Sequence, residues 1–194
     1  MIRLALIRHG HTAWNRQGRI QGRTDVPLDA DAEAQLARLT LPDDWRAAML
    51  WSSPLQRATR TAILLAGRPP KTDPALTEMD WGDWEGQEGA VLRADPSSGY
   101  RDIEDWGWDF RPPKGETPAE LRARLLPWAQ DLREDAVAVC HIGIMRVLMA
   151  HATGWNFKGP APFQIKRNRL FVITISGGIW TAAEPPIRLR ERAS

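Results

Sequence analysis

Four side chains from three distant stretches of the sequence carry the chemistry of anion handling: Arg8 and His9 in LIRHG, Arg57 in SSPLQRATR and His141 in VCHIG. A guanidinium presents a planar fork of donors that matches phosphate or carboxylate oxygens. An imidazole donates a hydrogen bond or attacks an electrophile, and neighbouring cations keep its attacking nitrogen unprotonated. Such a set suits a dianionic phosphoryl group, held by its non-bridging oxygens and stabilised as it transfers. The other two histidines read differently. His11 lies in a loop within reach of a ligand, and His151 falls on a helix face as a structural residue. No metal centre is expected, because the histidines lack an H-x-x-x-H spacing with a partner carboxylate and Cys140 sits beside His141 on the opposite face of a strand.

These residues need elements to bring them together, and each lies at or just beyond the end of an apolar run. Residues 2–8 (IRLALIR), 47–53 (AAMLWSS) and 135–143 (DAVAVCHIG) read as buried strands. Residues 30–40 read as a helix packing Leu36 and Leu39, and 54–67 as a helix capped by Ser53, with Pro54 in its first turn and Gly67 closing it. The stretch 117–133 opens with Thr117, Pro118 and Glu120 at capping-box spacing, and Pro127 is expected to kink or divide it. A further helix follows His141, and RLFVITI (169–175) with IWTA (179–182) reads as a terminal hairpin around Ser-Gly-Gly.

Strands alternating with helices predict an α/β fold, a three-layer α/β/α sandwich with a mostly parallel central sheet. In such sheets the site forms at the carboxyl ends of the strands. Helix N-termini following the strands are expected to add backbone donors there. Residues 80–116, rich in Gly, Pro, Asp and Trp, read as a lid-like excursion over the site, with Trp106, Trp108 and Phe110 available to stack on a leaving group. Trp84 and Trp128 read as core.

Bulk properties narrow the options. A chain of 194 residues that is 43% hydrophobic supports one domain over 1–194. A net charge of +2, spread along the chain, predicts no nucleic-acid partner, although Arg188, Arg190 and Arg192 form a basic tail. One cysteine points to a reducing compartment, hence the cytoplasm. The N-terminal apolar stretch is too short for a signal peptide, and no run approaches the roughly 20 apolar residues of a membrane span, so no membrane partner is expected.

The ordered stretches LIRHGHTAWN, GRIQGRTDVPL, SSPLQRATRTA, LTEMDWGDWEG, KGETPAELRAR and VCHIGIMR together resemble the histidine phosphatase superfamily, in its phosphoglycerate mutase-like branch. The resemblance implies that His9 is the nucleophile that becomes phosphohistidine, with Arg8, Arg57 and His141 clamping the phosphoryl oxygens. It implies that Glu78 is the general acid and then the base, and that Asn15, Gln21, Gly22, Ile142 and Trp81 line the substrate pocket. Ile142 replaces the Gly or Ala common after the second histidine, and His11 stands where Glu is frequent. The expected activity is metal- and cofactor-independent hydrolysis of a small phosphorylated metabolite, closest in motif to α-ribazole phosphatase and broad-specificity phosphatases. A mutase-type phosphotransferase and a catalytically idle binding module are the alternatives, and self-association is left open.

Overall fold

In the computed structural model, which describes residues 1–192, the chain runs β1 (Ile2–Arg8), α1 (Ala13–Arg16), α2 (Ala30–Ala37), β2 (Leu39–Thr40), α3 (Asp43–Arg46), β3 (Met49–Ser52), α4 (Gln56–Ala66) and β4 (Lys71–Thr72). It continues through α5 (Gly89–Ala94), α6 (Pro118–Gln130), β5 (Ala136–Cys140), α7 (Ile142–Thr153), β6 (Arg169–Ser176), β7 (Ile179–Ala182), β8 (Ile187–Arg188) and β9 (Arg190–Glu191). Residues 193 and 194 of the expected 1–194 domain lie outside the described residues.

The main sheet has the order β4-β3-β5-β1-β6-β7, with β8 added to β6. Its first four strands are parallel, whereas β6 runs antiparallel to β1 and β7 antiparallel to β6. This is the mostly parallel sheet that the strand and helix alternation predicts. Register sets the level of the strand ends: Arg8 sits beside Cys140, and Ser52 beside Val139. The residues that follow, His9, Ser53 and His141, therefore leave the sheet together.

Alternation along the central strands builds two cores. Leu4 and Leu6 of β1, with Ala136, Ala138 and Cys140 of β5, face Leu121 and Leu125 of α6 and Ile144 and Leu148 of α7. Ala5, Ile7, Val137 and Val139 face the other way, onto Leu36 of α2 and Ala58, Ala62 and Leu65 of α4. Burial on both faces explains why β1 and β5 read as continuous apolar runs.

Local signals place most element ends. Thr117 accepts from the Glu120 amide at 3.1 Å while Glu120 accepts from the Thr117 amide at 2.9 Å, a complete capping box. Pro127 neither ends nor splits α6, which runs unbroken to Gln130. Gly67 closes α4 in the left-handed region, at φ 69°. Two expectations need correction. The helix expected over 30–40 stops at Ala37, because Leu39 and Thr40 pair with Glu191 and Arg190 as a short ribbon. Likewise α4 begins at Gln56 rather than Pro54: the Ser53 hydroxyl accepts from the Leu55 amide at 3.3 Å and lies 2.8 Å from His141 Nε2, while the Gln56 amide at the start of the helix donates to Asp25 Oδ1 at 2.8 Å.

A carboxylate from a distant loop thus caps α4, a contact no local pattern announces. Asp25→Ala is expected to destabilise the fold by about 1 kcal/mol, the usual worth of a helix cap. A urea-unfolding midpoint unchanged from wild type would remove Asp25 from that role.

Candidate active site

The β1 exit continues the sheet by one bond, with the His9 amide donating to the Cys140 carbonyl at 3.0 Å. The next amide, Gly10, donates to Thr61 Oγ1 at 3.0 Å and ties the turn to α4. His9 Nδ1 lies 2.6 Å from the Gly10 carbonyl, which only accepts, so Nδ1 carries the proton and Nε2 keeps its lone pair. Burial, together with the charges of Arg57, Arg8 and Arg167, holds the His9 pKa well below its ordinary 6.5. The imidazole is neutral and nucleophilic.

Behind it, 5.0 Å between ring centroids, stands His141. Arg57 Nε donates to His141 Nδ1 at 3.3 Å, which leaves the His141 proton on Nε2, donated to Ser53 Oγ. The rest of the Arg57 fork is also occupied: Nη1 donates to the Thr24 carbonyl at 2.8 Å and Nη2 to the Gly22 carbonyl at 2.6 Å. Both residues are fully buried. Burial, with the Arg57 and Arg8 charges adding to it, lowers the His141 pKa well below 6.5 too.

Glu78 comes from the loop after β4. Its Oε1 accepts from the Met79 amide at 2.8 Å and its Oε2 from the Gly143 amide, in the first turn of α7, at 3.1 Å. Desolvation outweighs those bonds and the nearby arginines, so the Glu78 pKa is raised above 4.5. The segment around Glu78 is fixed from outside by Arg124 of α6. Its guanidinium donates to the Thr77 carbonyl at 2.7 Å and to Glu116 at 2.8 and 3.0 Å. The KGETPAELRAR stretch therefore acts on the site through the backbone that carries Glu78.

A cavity of about 220 Å³ gathers Arg8, His9, Asn15, Gln21, Glu78, Trp81 and Ile142 from the sequence-predicted set, with Tyr100 and Arg146 added. Arg57, His141 and Gly22 do not line it. Gly22 serves the site indirectly: its carbonyl holds Arg57, and a Cβ on it would meet the Met79 carbonyl at 2.9 Å. Buried Arg8 Nε and Gln21 Nε2 have no acceptor in the protein. Burial, then the charges of Arg167 and Arg146, brings the Arg8 pKa down to about 9, which still leaves it cationic at neutral pH.

One sequence expectation fails here. Of the helix N-termini, the Gln56 amide is taken by Asp25 and the Gly143 amide by Glu78. The excursion at 80–116 lines the cavity with Trp81 and Tyr100 but does not hold Trp106, Trp108 and Phe110 over it. Trp106 packs at a tilt against Phe110 at 4.9 Å and edge-on against Trp81 at 5.4 Å, while Trp108 packs edge-on against Phe157 at 4.9 Å. Large rings this close together bury one another, and the segment joins the main core. Trp84 and Trp128 are buried as expected. His151 packs edge-on against Trp180, and Cys140 is buried in the core.

Arg146, Tyr100 and Arg167 escaped the sequence reading. Arg146 had a signal, being four residues after Ile142 and so on the same face of α7. Arg167 had none: from the loop before β6 it donates to the His9 carbonyl at 3.0 Å and to Asn15 Oδ1 at 2.8 Å.

The buried imidazoles give a pH signature. The unfolded chain takes up protons below 6.5 that folded His9 and His141 resist, so stability is full above 6.5 and is lost as pH falls. Glu78 acts in the opposite sense, its raised pKa lowering stability as pH climbs from 4.5. Urea midpoints are expected to drop from pH 7 toward pH 5, with a shallower drop in His9→Gln; parallel slopes would mean that His9 is not neutral in the fold.

Residues 4–185 match the family described as histidine phosphatase superfamily (branch 1). The chain is 34% identical over 129 residues to a probable phosphoglycerate mutase of Escherichia fergusonii, a match covering 64% of this chain and 60% of that one. A phosphoglycerate mutase from Thermus thermophilus superposes with TM-score 0.73 at 31% identity, over 98% of this chain and all of that one. A mycobacterial glucosyl-3-phosphoglycerate phosphatase shares the fold, with TM-score 0.80 at 24% identity over 94% and 98% of the two chains. With an imidazole freed to attack, a buried carboxyl facing it and arginines around both, the matched stretch places this chain in the histidine phosphatase superfamily.

Proposed function

We propose that the protein is a phosphomonoesterase that works through a phosphohistidine. The observation that supports this best is one cavity shared by His9, with Nε2 unprotonated, by Glu78, with a raised pKa, and by the partnerless donors Arg8 Nε and Gln21 Nε2. His9 Nε2 attacks phosphorus, the phosphorus–oxygen bond of the ester breaks, and Glu78 gives its proton to the leaving alkoxide. The carboxylate so formed takes a proton from water. The resulting hydroxide attacks the phosphoryl group, and His9 departs neutral with its Nδ1 proton still donated to the Gly10 carbonyl.

Arg8 supplies the charge-assisted donors nearest the reacting group. Arg57 and His141 now hold neutral partners, the carbonyls of Gly22 and Thr24 and the Ser53 hydroxyl. A phosphoryl oxygen is a stronger acceptor than any of these, and both groups turn to it when it enters.

Hydrolysis is favoured over bisphosphate-primed transfer because the cations of the 80–116 segment are engaged elsewhere. Arg93 pairs with Asp102 at 2.6 Å, Arg111 with Glu120 at 2.6 Å, Lys114 with Asp83 at 3.1 Å, and Arg101 lies over Phe110. None of them lines the cavity. Arg146 supports the second reading, transfer between hydroxyls of one substrate, because its charge suits a further anionic group. The substrate class is a small phosphorylated metabolite acted on in the cytoplasm, with α-ribazole phosphate, 3-phosphoglycerate and sugar phosphates as the panel to assay.

In excess EDTA, wild-type protein is expected to release phosphate from members of that panel, and His9→Ala to fall by at least about a thousandfold, with no labelled phosphoenzyme. Isomerised 3-phosphoglycerate without phosphate release would replace hydrolysis by the mutase reading, and residual His9→Ala turnover equal to wild type would end the phosphohistidine scheme. Gly143→Ala tests the carboxyl. An added Cβ would press into Glu78 Oε1, so kcat is expected to fall about a hundredfold with KM little changed.

A further inference from the structure

Arginines without partners mark the catalytic cavity, and they mark one other place. Elsewhere the chain engages its arginines: Arg3 with Asp135, Arg16 with Asp29, Arg60 with Glu33, Arg133 with Asp131, Arg122 over Trp108, and Arg68 and Arg192 on carbonyls. Among the described residues Arg8, Arg38, Arg146, Arg169 and Arg188 have no hydrogen-bonding, ionic or aromatic partner for their guanidiniums. Arg8 and Arg146 line the catalytic cavity. Arg38, Arg169 and Arg188 converge on a separate groove of about 890 Å³, together with His11, Arg16 and Arg167.

The groove gathers like charge against only two acids, Asp31 and Glu191. Arg169 of β6 and Arg188 of β8 stand directly opposite each other in the antiparallel register. Like charges so placed weaken a sheet unless a counter-charge lies between them. His11 and Arg167 feel the same field. The pKa of His11 is lowered by burial and then by Arg167 and Arg16, and burial with Arg16 brings Arg167 down to about 10. Apart from the His11 imidazole, no aromatic ring lines the groove, so nothing there would stack on a nucleobase.

We propose that this groove is a second anion site, built for a compact polyanion carrying several phosphate or carboxylate groups, and that its occupancy reaches the catalytic centre through Arg167. That residue lines the groove and at the same time holds the His9 carbonyl at 3.0 Å and Asn15 Oδ1 at 2.8 Å. A polyanion that draws the Arg167 guanidinium toward the groove would loosen the turn carrying the nucleophile. The site takes up two features that the catalytic reading leaves aside, His11 and, of the basic tail, Arg188.

The test is a calorimetric titration of inorganic tripolyphosphate into the full chain in EDTA, with orthovanadate saturating the catalytic cavity. One equivalent is expected to bind, and the affinity to fall at least about tenfold in Arg169→Ser/Arg188→Ser. Without anion, that variant is expected to melt at or above wild type, because a repulsive pair has gone. Should it melt below wild type, Arg38→Ser, which lies outside the strand pair, is expected to show the same loss of affinity. The proposal is overturned if vanadate-loaded protein takes up no tripolyphosphate, if the folded variants bind it as wild type does, or if a short single-stranded RNA binds the groove and tripolyphosphate does not.

Discussion

A buried arginine has to be satisfied, and in this protein the Arg57 guanidinium organises the site around that need. It is fully buried, with no carboxylate in contact, so its fork is filled by the carbonyls of Gly22 and Thr24 and by one nitrogen of His141. Each bond fixes something else: the loop at 22–24, the tautomer of His141 and, through the Ser53 hydroxyl, the exit of β3. Neutral acceptors leave the positive charge without a counter-ion in contact, with Glu78, Asp25 and Glu85 acting on it only from a distance. A cation held in this way suits an anionic group, and a paired carboxylate would have cancelled it.

The same charge sets the protonation of its neighbours. His9 and His141 are kept neutral by burial and by the cations around them, while Glu78 is buried deeply enough for desolvation to outweigh the attraction of those cations. A neutral imidazole and a carboxyl of raised pKa thus face one cavity. Glycine makes the arrangement fit, because Gly143 leaves room for the Glu78 carboxyl against the first turn of α7, where its amide is also the donor. One amide of the α7 N-terminus is thereby given to the Glu78 carboxyl.

Arg167 connects this centre to the rest of the molecule. Among the described residues it is the arginine that both holds the His9 carbonyl and lines the basic groove, so the two concentrations of charge share a side chain. Elsewhere among the described residues exposed arginines are matched to acids, rings or amide and carbonyl oxygens, which keeps a basic protein free of stray fields. The exceptions gather in two concavities.

Much of the fold was legible in the sequence because its signals are local. The apolar runs at 2–8 and 135–143 are continuous since both strand faces are buried, the Thr117 and Glu120 pair caps its helix within one turn, and Gly67 ends another. RHG, the Arg57 stretch, Glu78 and HIG were readable as residue types suited to phosphoryl chemistry, and family resemblance ordered them. Only the tertiary structure decided what depends on contacts between distant segments. It gave the cap of α4 to Asp25, made Thr40 a strand residue through its pairing with Arg190, and turned the Trp106 to Phe110 rings into each other. It set Arg57 and His141 behind the nucleophile instead of in the cavity wall, and it brought Arg146, Tyr100 and Arg167 to the site. A sequence determines which residues can bury themselves and which can react. Which partner satisfies each buried charge is settled only when the chain closes on itself, because desolvation and hydrogen bonding depend on every group that surrounds the site.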